Sequence, residues 1–400
     1  MALLPVADAL ARILDGVAPT QAERVALAHA RGRTLAEDVK ALLTQPPFDA
    51  SAMDGYAVRA ADLASTPAGL TVAGESQAGR GYDGEVGPGQ AVRIFTGAPL
   101  PNGADTVVIQ EDCERRNGTV VVREPAKAGA NIRSAGGDFA DGQTLLTAGR
   151  VLDAGAVTLA AAGGHPDLPV RRRPRVAILA NGDELVEPGI APGPDQIVCS
   201  NTYGLAALLE RAGATAEILG IARDERRDIE EKLAAARDAD VLVTIGGASV
   251  GDRDLIRPAL AALGMSLDFW KVAIRPGKPM LFGRLGATRV LGLPGNPLSC
   301  LIAARVFLVP LIAHLLGRVG EDHERSALLG AALPANGPRR HYMRATLRYD
   351  DTGRVHASAL AVQDSSFITG LVAADALIVR PPDAPAAEAG TPVPILMLDM

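Results

Sequence analysis

The feature that most constrains this chain is an alternation of short apolar runs and helical patterns between Val176 and Leu316. Strand-type runs at Val176–Ala180, Ala216–Ile221, Val241–Ile245 and Val290–Leu293 are interleaved with helical patterns at Thr202–Arg211, Asp228–Ala236, Asp254–Leu263 and Leu298–Leu316. Continuous apolar strands joined through helices imply a mainly parallel sheet covered on both faces. In such a sheet, ligands gather outside the carboxyl ends of the strands, so the residues after each strand are the first place to look for chemistry.

Those tips are unusual. After the first strand comes ANGDELVEPG, with Asp183 and Glu184, and after the second comes Asp224. The third is followed by GGASVGDRD, Gly246–Asp254, whose glycines let backbone N–H groups approach an anion and which ends in Asp252 and Asp254. The fourth is followed by LPGNPLSC, where Asn296 can cap a helix and Pro297 fits its first turn, leaving N–H groups aimed at a ligand. One such tip is an ordinary turn; four together favour a site. Between the third helix and the last strand, FWKVAIRPGKPM places Lys271, Arg275 and Lys278 along an extended or turning segment, with Trp270 read as core packing. Cations near acidic tips suit a phosphate-bearing ligand and a hard cation such as Mg²⁺.

The rest of the 400-residue chain is too much for one core. Residues up to about 35 read as helices, with Val6, Leu10, Ile13, Leu14 and Val17 at helical spacing and Thr20 with Glu23 at capping-box spacing. Short β-type runs at Leu70–Val72, Ala91–Phe95, Thr106–Gln110 and Thr119–Arg123, broken by Gly, Pro and Asp, read as an all-β unit. Gln143–Val170 returns to an apolar, alanine-rich pattern that can rejoin the first lobe, and RRRPR at 171–175 marks a boundary. The expected divisions are a helical dimerisation lobe at 1–40 and 143–170, a β insertion at 41–142, an α/β domain at 171–326 and a small β domain at 327–400.

Composition excludes several classes. A formal charge of −6 and 3% aromatic residues argue against nucleic acid or anionic lipid as partner. Cys113, Cys199 and Cys300 are far apart without CxxC spacing, which argues against a disulfide framework or zinc and fits a reducing cytoplasm. No histidine pair has metalloprotease spacing. Met1–Leu14 lacks a basic start and a long apolar stretch, and Leu301–Leu316 is interrupted by Arg305, Pro310 and His314, so no membrane role is expected. Gly74–Gly81 has P-loop glycine spacing but carries Arg80 and Gly81 where Lys and a hydroxyl residue belong.

The β insertion is preceded by PPFDASAMDGYAV at 46–58 and contains VRIFTGAPLPNGADTVVIQED at 92–112 and ANIRSAGGDFADGQTLLTAG at 130–149. Together with the GDEL, GGASVGD, FWKVAIRPGKP and LPGNP segments, in this order, the chain resembles the MoeA-type molybdopterin molybdenumtransferases, a family that includes the E domain of gephyrin. The resemblance covers nearly the whole chain and is loosest in the last 75 or so residues. It implies a multidomain α/β plus β fold: an elongated subunit with a three-layer α/β domain similar to molybdopterin adenylyltransferase, a β insertion, a small helical lobe and a C-terminal β domain. It further implies a homodimer whose cleft lies between the α/β domain of one subunit and the insertion of the other.

Carried over by motif, the catalytic positions are Asp54, Thr96, Asp138, Glu184, Asp224 and Asp254, with Glu184, Asp224 and Asp254 toward Mg²⁺. The binding positions are Gly246, Gly247, Ser249, Lys271, Arg275, Lys278, Pro294, Gly295, Asn296, Pro297, Arg344 and Ser365. The implied reaction inserts molybdate into adenylylated molybdopterin with release of AMP, and the adenylyltransferase of the same pathway is an expected partner. Two other readings remain open at this point: the preceding adenylylation step, and a non-catalytic scaffold that binds a peptide on its C-terminal domain. Asn181, Cys199 and the Asp364–Ser365 pair depart from the family pattern.

Overall fold

The computed structural model describes residues 3–236, 238–246, 255–318 and 324–398. Its α/β domain is built on a six-stranded sheet in the order Thr215–Ala222, Arg175–Asn181, Val241–Ile245, Thr288–Leu293, Leu281–Leu285, Ser266–Trp270. The first four strands are mutually parallel, and the last two are added antiparallel to their neighbours. The period of two along each strand sends alternate residues to opposite faces. Val176, Ile178, Val241, Val243 and Ile245 enter one core, under the helices Val6–Leu14, Asn201–Ala212 and the segment from Pro297 to Leu315. Ala177, Leu179 and Leu242 enter the other, with Ile229 and Leu233 of the helix Arg226–Ala235 and Ile256 and Leu260 of the helix Ile256–Ala262.

Three expectations change. The sheet has six strands rather than four, because Ser266–Trp270 and Leu281–Leu285 are too mixed in composition to stand out as apolar runs. Helix stops at Leu14. Instead of a capping box after Thr20, Ala22–Ala26 is a strand paired antiparallel with Asp167–Arg171, and the Thr20 hydroxyl donates to the Arg172 carbonyl. That pairing joins segments about 145 residues apart, which local spacing cannot reveal. The third change concerns the apolar segment near residue 301. It is a continuous 19-residue helix, Pro297–Leu315, with mean hydropathy 2.1, so by length and composition it could cross a membrane. It is instead the central helix of the larger core, 78% buried, and the Arg305 guanidinium within it donates to the Met397 carbonyl.

Around this domain the chain leaves and returns. Val39–Lys40 pairs with Thr144–Leu146, and Leu35, Val39, Leu146, Leu152, Ala156, Ala160, Leu168 and Val170 make one core with a single helix, Ala154–Ala162. Asp153 caps that helix through Ala156 N–H at 2.7 Å. The excursion between is a six-stranded β unit. The C-terminal residues form a second β unit in which Ala376–Arg380 pairs with both Arg340–Tyr349 and Pro392–Met397. Its edge is continued by Ile274–Arg275, which pairs parallel with Arg340 and His341. The basic segment of the α/β domain is therefore stitched into the C-terminal domain, an arrangement with consequences for the site.

Candidate active site

Two concavities share a wall at the carboxyl edge of the large sheet. The larger, about 570 Å³, lies between the α/β and C-terminal domains. Arg275, Lys278, Arg339 and His341 supply its basic side, and Gly295, Asn296 and Ser365 the opposite side. Gly277 lets the chain turn between the two cations: its φ is +104°, which a side chain rarely adopts. His341 is only 8% exposed. Burial, and then the positive charges of Arg275 and Arg339, push its pKa down to about 4, so it is neutral at pH 7 and can accept or donate a hydrogen bond without adding charge.

The start of the helix at Pro297 differs from expectation. Asn296 makes no capping hydrogen bond with its side chain; its Nδ2 donates to Ser365 Oγ at 2.9 Å. Leu298 N–H donates to the Ser365 carbonyl at 3.1 Å, so this helical N–H is not available to a ligand. A loop from the distant domain outcompetes self-capping. That loop is held by Arg344, 1% exposed, which donates to the carbonyls of Val362 (2.8 Å), Asp364 (3.0 Å) and Phe367 (3.0 Å). Arg344 therefore sits behind Ser365 rather than in the cavity. Asp364 fits its place because its carboxylate accepts from Ser366 N–H and hydroxyl, a local turn that also holds it below the ordinary carboxylate range, the hydroxyl bond contributing most.

The smaller cleft, about 200 Å³, is lined by Asn181, Glu184, Asn201, Gly246 and Pro297 with apolar walls, and shares Gly295 and Asn296 with the larger one. Asn181 Nδ2 donates to Asp224 Oδ1 at 2.7 Å, and Asp224 N–H donates to Asp183 Oδ1 at 3.1 Å, so the first two strand tips are tied together. Glycine is required at 246: its φ is +90° and a Cβ would lie 2.6 Å from the Asn181 carbonyl. Gly182 leaves room for the Glu184 carboxylate, whose Oε2 lies 2.3 Å from where a Cβ would be.

Lys271 stands apart from this group. Its backbone is left-handed (φ +75°) and its Nζ lies 4.0 Å from the centroid of Trp270, which is half-buried and also faces Arg257 at 5.2 Å. Asp54 and Thr96 do meet: Thr96 donates to Asp54 Oδ1 from its backbone and its hydroxyl, both at 2.8 Å. These bonds, backbone first, hold Asp54 below its ordinary range. Asp138 is exposed, with its backbone N–H on the Gln45 carbonyl. Within one chain, neither concavity includes Asp54, Thr96 or Asp138. Gly247, Ser249 and Asp254 lie outside the described residues. Among the described residues no three carboxylate, histidine or cysteine side chains converge as a metal site.

Sequence reasoning passed over Arg339, His341 and Asn201. The cluster RRH at 339–341 carried a visible signal, since adjacent cations with a histidine are uncommon in an acidic chain. Asn201, whose Nδ2 donates to the Gly295 carbonyl at 2.7 Å, carried none, because its partner is 94 residues away.

Known proteins resemble the chain along nearly its whole length. The MoeA N-terminal region (domain I and II) matches residues 4–164, a probable molybdopterin binding domain matches 177–314, and the MoeA C-terminal region (domain IV) matches 326–398. It is 36% identical to a molybdopterin molybdenumtransferase of Haemophilus influenzae over 365 residues, 90% of each chain. It is 34% identical to one of Bacillus subtilis over 408 aligned positions, covering 99% of this chain and 94% of the relative. A crystal structure of a molybdopterin biosynthesis MoeA protein from Pyrococcus horikosii superposes with a TM-score of 0.86 at 31% identity, covering 100% of both chains.

Proposed function

The chain belongs to the MoeA family of molybdopterin molybdenumtransferases, and from that premise we propose that it inserts molybdate into adenylylated molybdopterin, releasing AMP, at the paired concavities of the sheet edge. The observation that carries this placement is the 570 Å³ cavity in which Arg275, Lys278 and Arg339 converge. Molybdate and the phosphoanhydride are both anions and repel one another unless cations offset them. Arginine forks suit planar pairs of oxyanion oxygens, and Lys278 adds a point charge. Water cleaves the phosphoanhydride, freeing AMP and leaving the phosphate on the pterin, and the two sulphurs of the pterin replace two oxygens of molybdate, which take up protons and leave as water without change of oxidation state. No protein thiolate is called for: Cys300 is buried, its thiol pushed up to about 12, chiefly by burial.

A hard cation fits the donors on this edge, which are oxygens: the Glu184 carboxylate and the buried Asn181 Oδ1, with Asp224 behind them. When bound there, Mg²⁺ would offset phosphate charge that the arginines do not reach. Glu184 and Asn181 would hold it, and Asp224 would orient Asn181.

The insertion supplies the rest from a second copy. Asp54 with Thr96, and separately the exposed Asp138, line neither concavity of their own chain. A homodimer in which these residues close the partner's cleft would bring the carboxylates of Asp54 and Asp138 to the reacting groups. Incubating the protein with adenylylated pterin, Mg²⁺ and molybdate or tungstate, while following AMP, tests the function. AMP release dependent on the oxoanion is expected; ATP consumption with metal-free pterin would instead indicate the adenylylation step.

A further inference from the structure

We infer that His341 is the proton carrier of the larger cavity: it takes up a proton as an oxyanion settles among Arg275, Lys278 and Arg339, and passes it to an oxygen leaving molybdenum. This rests on the transferase reading above. The reaction needs such a group. Molybdate and the pterin dithiol form two Mo–S bonds, break two Mo–O bonds and release two waters, with molybdenum hexavalent throughout. The two thiols supply two of the four protons, and at least two more come from solution. They have to enter a cavity whose basic side repels them.

Strand register places the ring. Arg275 and His341 are direct partners in the parallel pairing of Ile274–Arg275 with Arg340–Tyr349, so their side chains stand on one face. Arg380 is the partner on the other side, and its guanidinium is turned onto the carbonyls of Pro334 and Pro385. Arg339 reaches the Ile274 carbonyl at 3.5 Å and lines the cavity with Arg275 and Lys278. His341 is 8% exposed, yet among the described residues its ring makes no hydrogen bond or ion pair with the protein. A buried imidazole that only packs normally pairs its nitrogens with the protein. Here the ring lines the cavity, and its partner comes from outside.

Among the described residues of this lining, His341 is the group whose charge can change near neutrality. Arginine and lysine side chains are already cationic there. Asp364, the carboxylate of the lining, is exposed and accepts from the Ser366 hydroxyl and N–H, which hold it below the ordinary range and ionised. His341 is held neutral by burial and then by Arg275 and Arg339. A dianion beside those arginines cancels the second cause and adds an attraction of its own, so protonation becomes favourable where it was not. By linkage, the same coupling tightens anion binding as the pH falls. The imidazolium then donates to an oxygen of molybdate. Transfer of its proton breaks the N–H bond, forms O–H and turns an oxo group into a hydroxyl that leaves more readily, and the neutral ring reloads from solvent.

The test titrates the full-length protein with submillimolar molybdate in a calorimeter at about pH 6, in MES and in Bis-Tris, whose different heats of ionisation separate proton uptake from binding. The wild type is expected to take up about half a proton or more per molybdate, and His341→Gln less than about one tenth. At saturating molybdate, kcat for formation of the molybdenum-loaded pterin should fall about a hundredfold in the variant, which a residue that merely packs the wall would not cause in folded protein. The inference is overturned by no molybdate binding to the wild type, by equal proton uptake in wild type and folded variant, or by wild-type kcat in the variant. If His341→Gln does not fold, ¹⁵N spectra of the wild type answer instead. One of the six histidine rings, neutral in the free protein at about pH 6, should become charged on saturation with molybdate, and the absence of any such ring overturns the inference. Loss of oxoanion-dependent AMP release would overturn the transferase reading and leave proton uptake with molybdate alone unaffected. Equal uptake with intact AMP release would remove only the role of His341.

Discussion

Arg275 and His341 touch the same cavity under opposite electrostatic rules. Arg275 is exposed at the cavity mouth, so its contribution to an anion is screened, and Arg275→Glu should weaken molybdate or adenylylated-pterin binding by about 1 to 2 kcal/mol rather than by the larger penalty of a buried pair. Isothermal titration at two salt concentrations reads this, with wild-type affinity in the variant removing Arg275 from the site. His341 is buried beside two cations, and its folded pKa of about 4 lies below the ordinary 6.5. The unfolded chain therefore binds a proton that the folded chain refuses between those values. Its contribution to stability is complete above pH 6.5 and is lost as the pH falls toward 4, by about 2 to 3 kcal/mol. Urea midpoints at pH 7 and pH 5 should fall further for the wild type than for His341→Gln; equal falls would assign the acid sensitivity elsewhere. Asp54→Ala should abolish most turnover at little cost in melting temperature, because Thr96 is exposed and its two donors can turn to water. A melting temperature lowered by many degrees would make Asp54 a structural turn residue instead.

At the scale of elements, what could be read in the sequence was whatever is written in local periodicity. The four parallel strands and the helices between them were legible because a strand buried on both faces must be apolar throughout, as Val241–Ile245 is. The Asp54–Thr96 pair was reached through a resemblance rather than through spacing, and the geometry brings the two together across 42 residues. Illegible were the features fixed by distant partners: the strand at Ala22–Ala26, the seat of Ser365 on the helix at Pro297, and the folding of Lys271 over Trp270. Arg344 shows the difference in kind. A motif transfer places it among binding residues, whereas its guanidinium is closed over three carbonyls of the loop that carries Ser365. Arg344→Met should therefore cost about 2 to 4 kcal/mol of stability, since three hydrogen bonds from a buried, charged donor to the loop carbonyls are lost. It should raise KM for the oxoanion through the loosened loop. Thermal denaturation with and without molybdate distinguishes this from a direct contact, which would change affinity and leave the melting temperature of the free protein nearly unchanged.

At the scale of the whole molecule, the two halves of the chemistry are carried by different parts of the chain. The cations and strand tips lie at the junction of the α/β and C-terminal domains, locked by the pairing of Ile274–Arg275 with Arg340–His341. The Asp54–Thr96 pair lies on the β insertion, reached through the lobe made by Val39–Lys40 and Thr144–Leu146. If the working cleft is assembled between two copies, a defect in the insertion and a defect in the basic cavity should complement. As homodimers, Asp54→Ala would lose most turnover and Arg275→Glu would be slowed about 5- to 30-fold below saturation, yet a heterodimer of the two would hold one cleft with both defects and one with neither. Random exchange of equal amounts gives half heterodimers, each with one good cleft of two, so activity should return to about one quarter of wild type. Mixing the two proteins under conditions that permit subunit exchange, and following AMP release alongside light scattering, reads this directly. A monomer in scattering, or no recovery after demonstrated exchange, would place Asp54 in the cleft of its own chain and require the insertion to close over it.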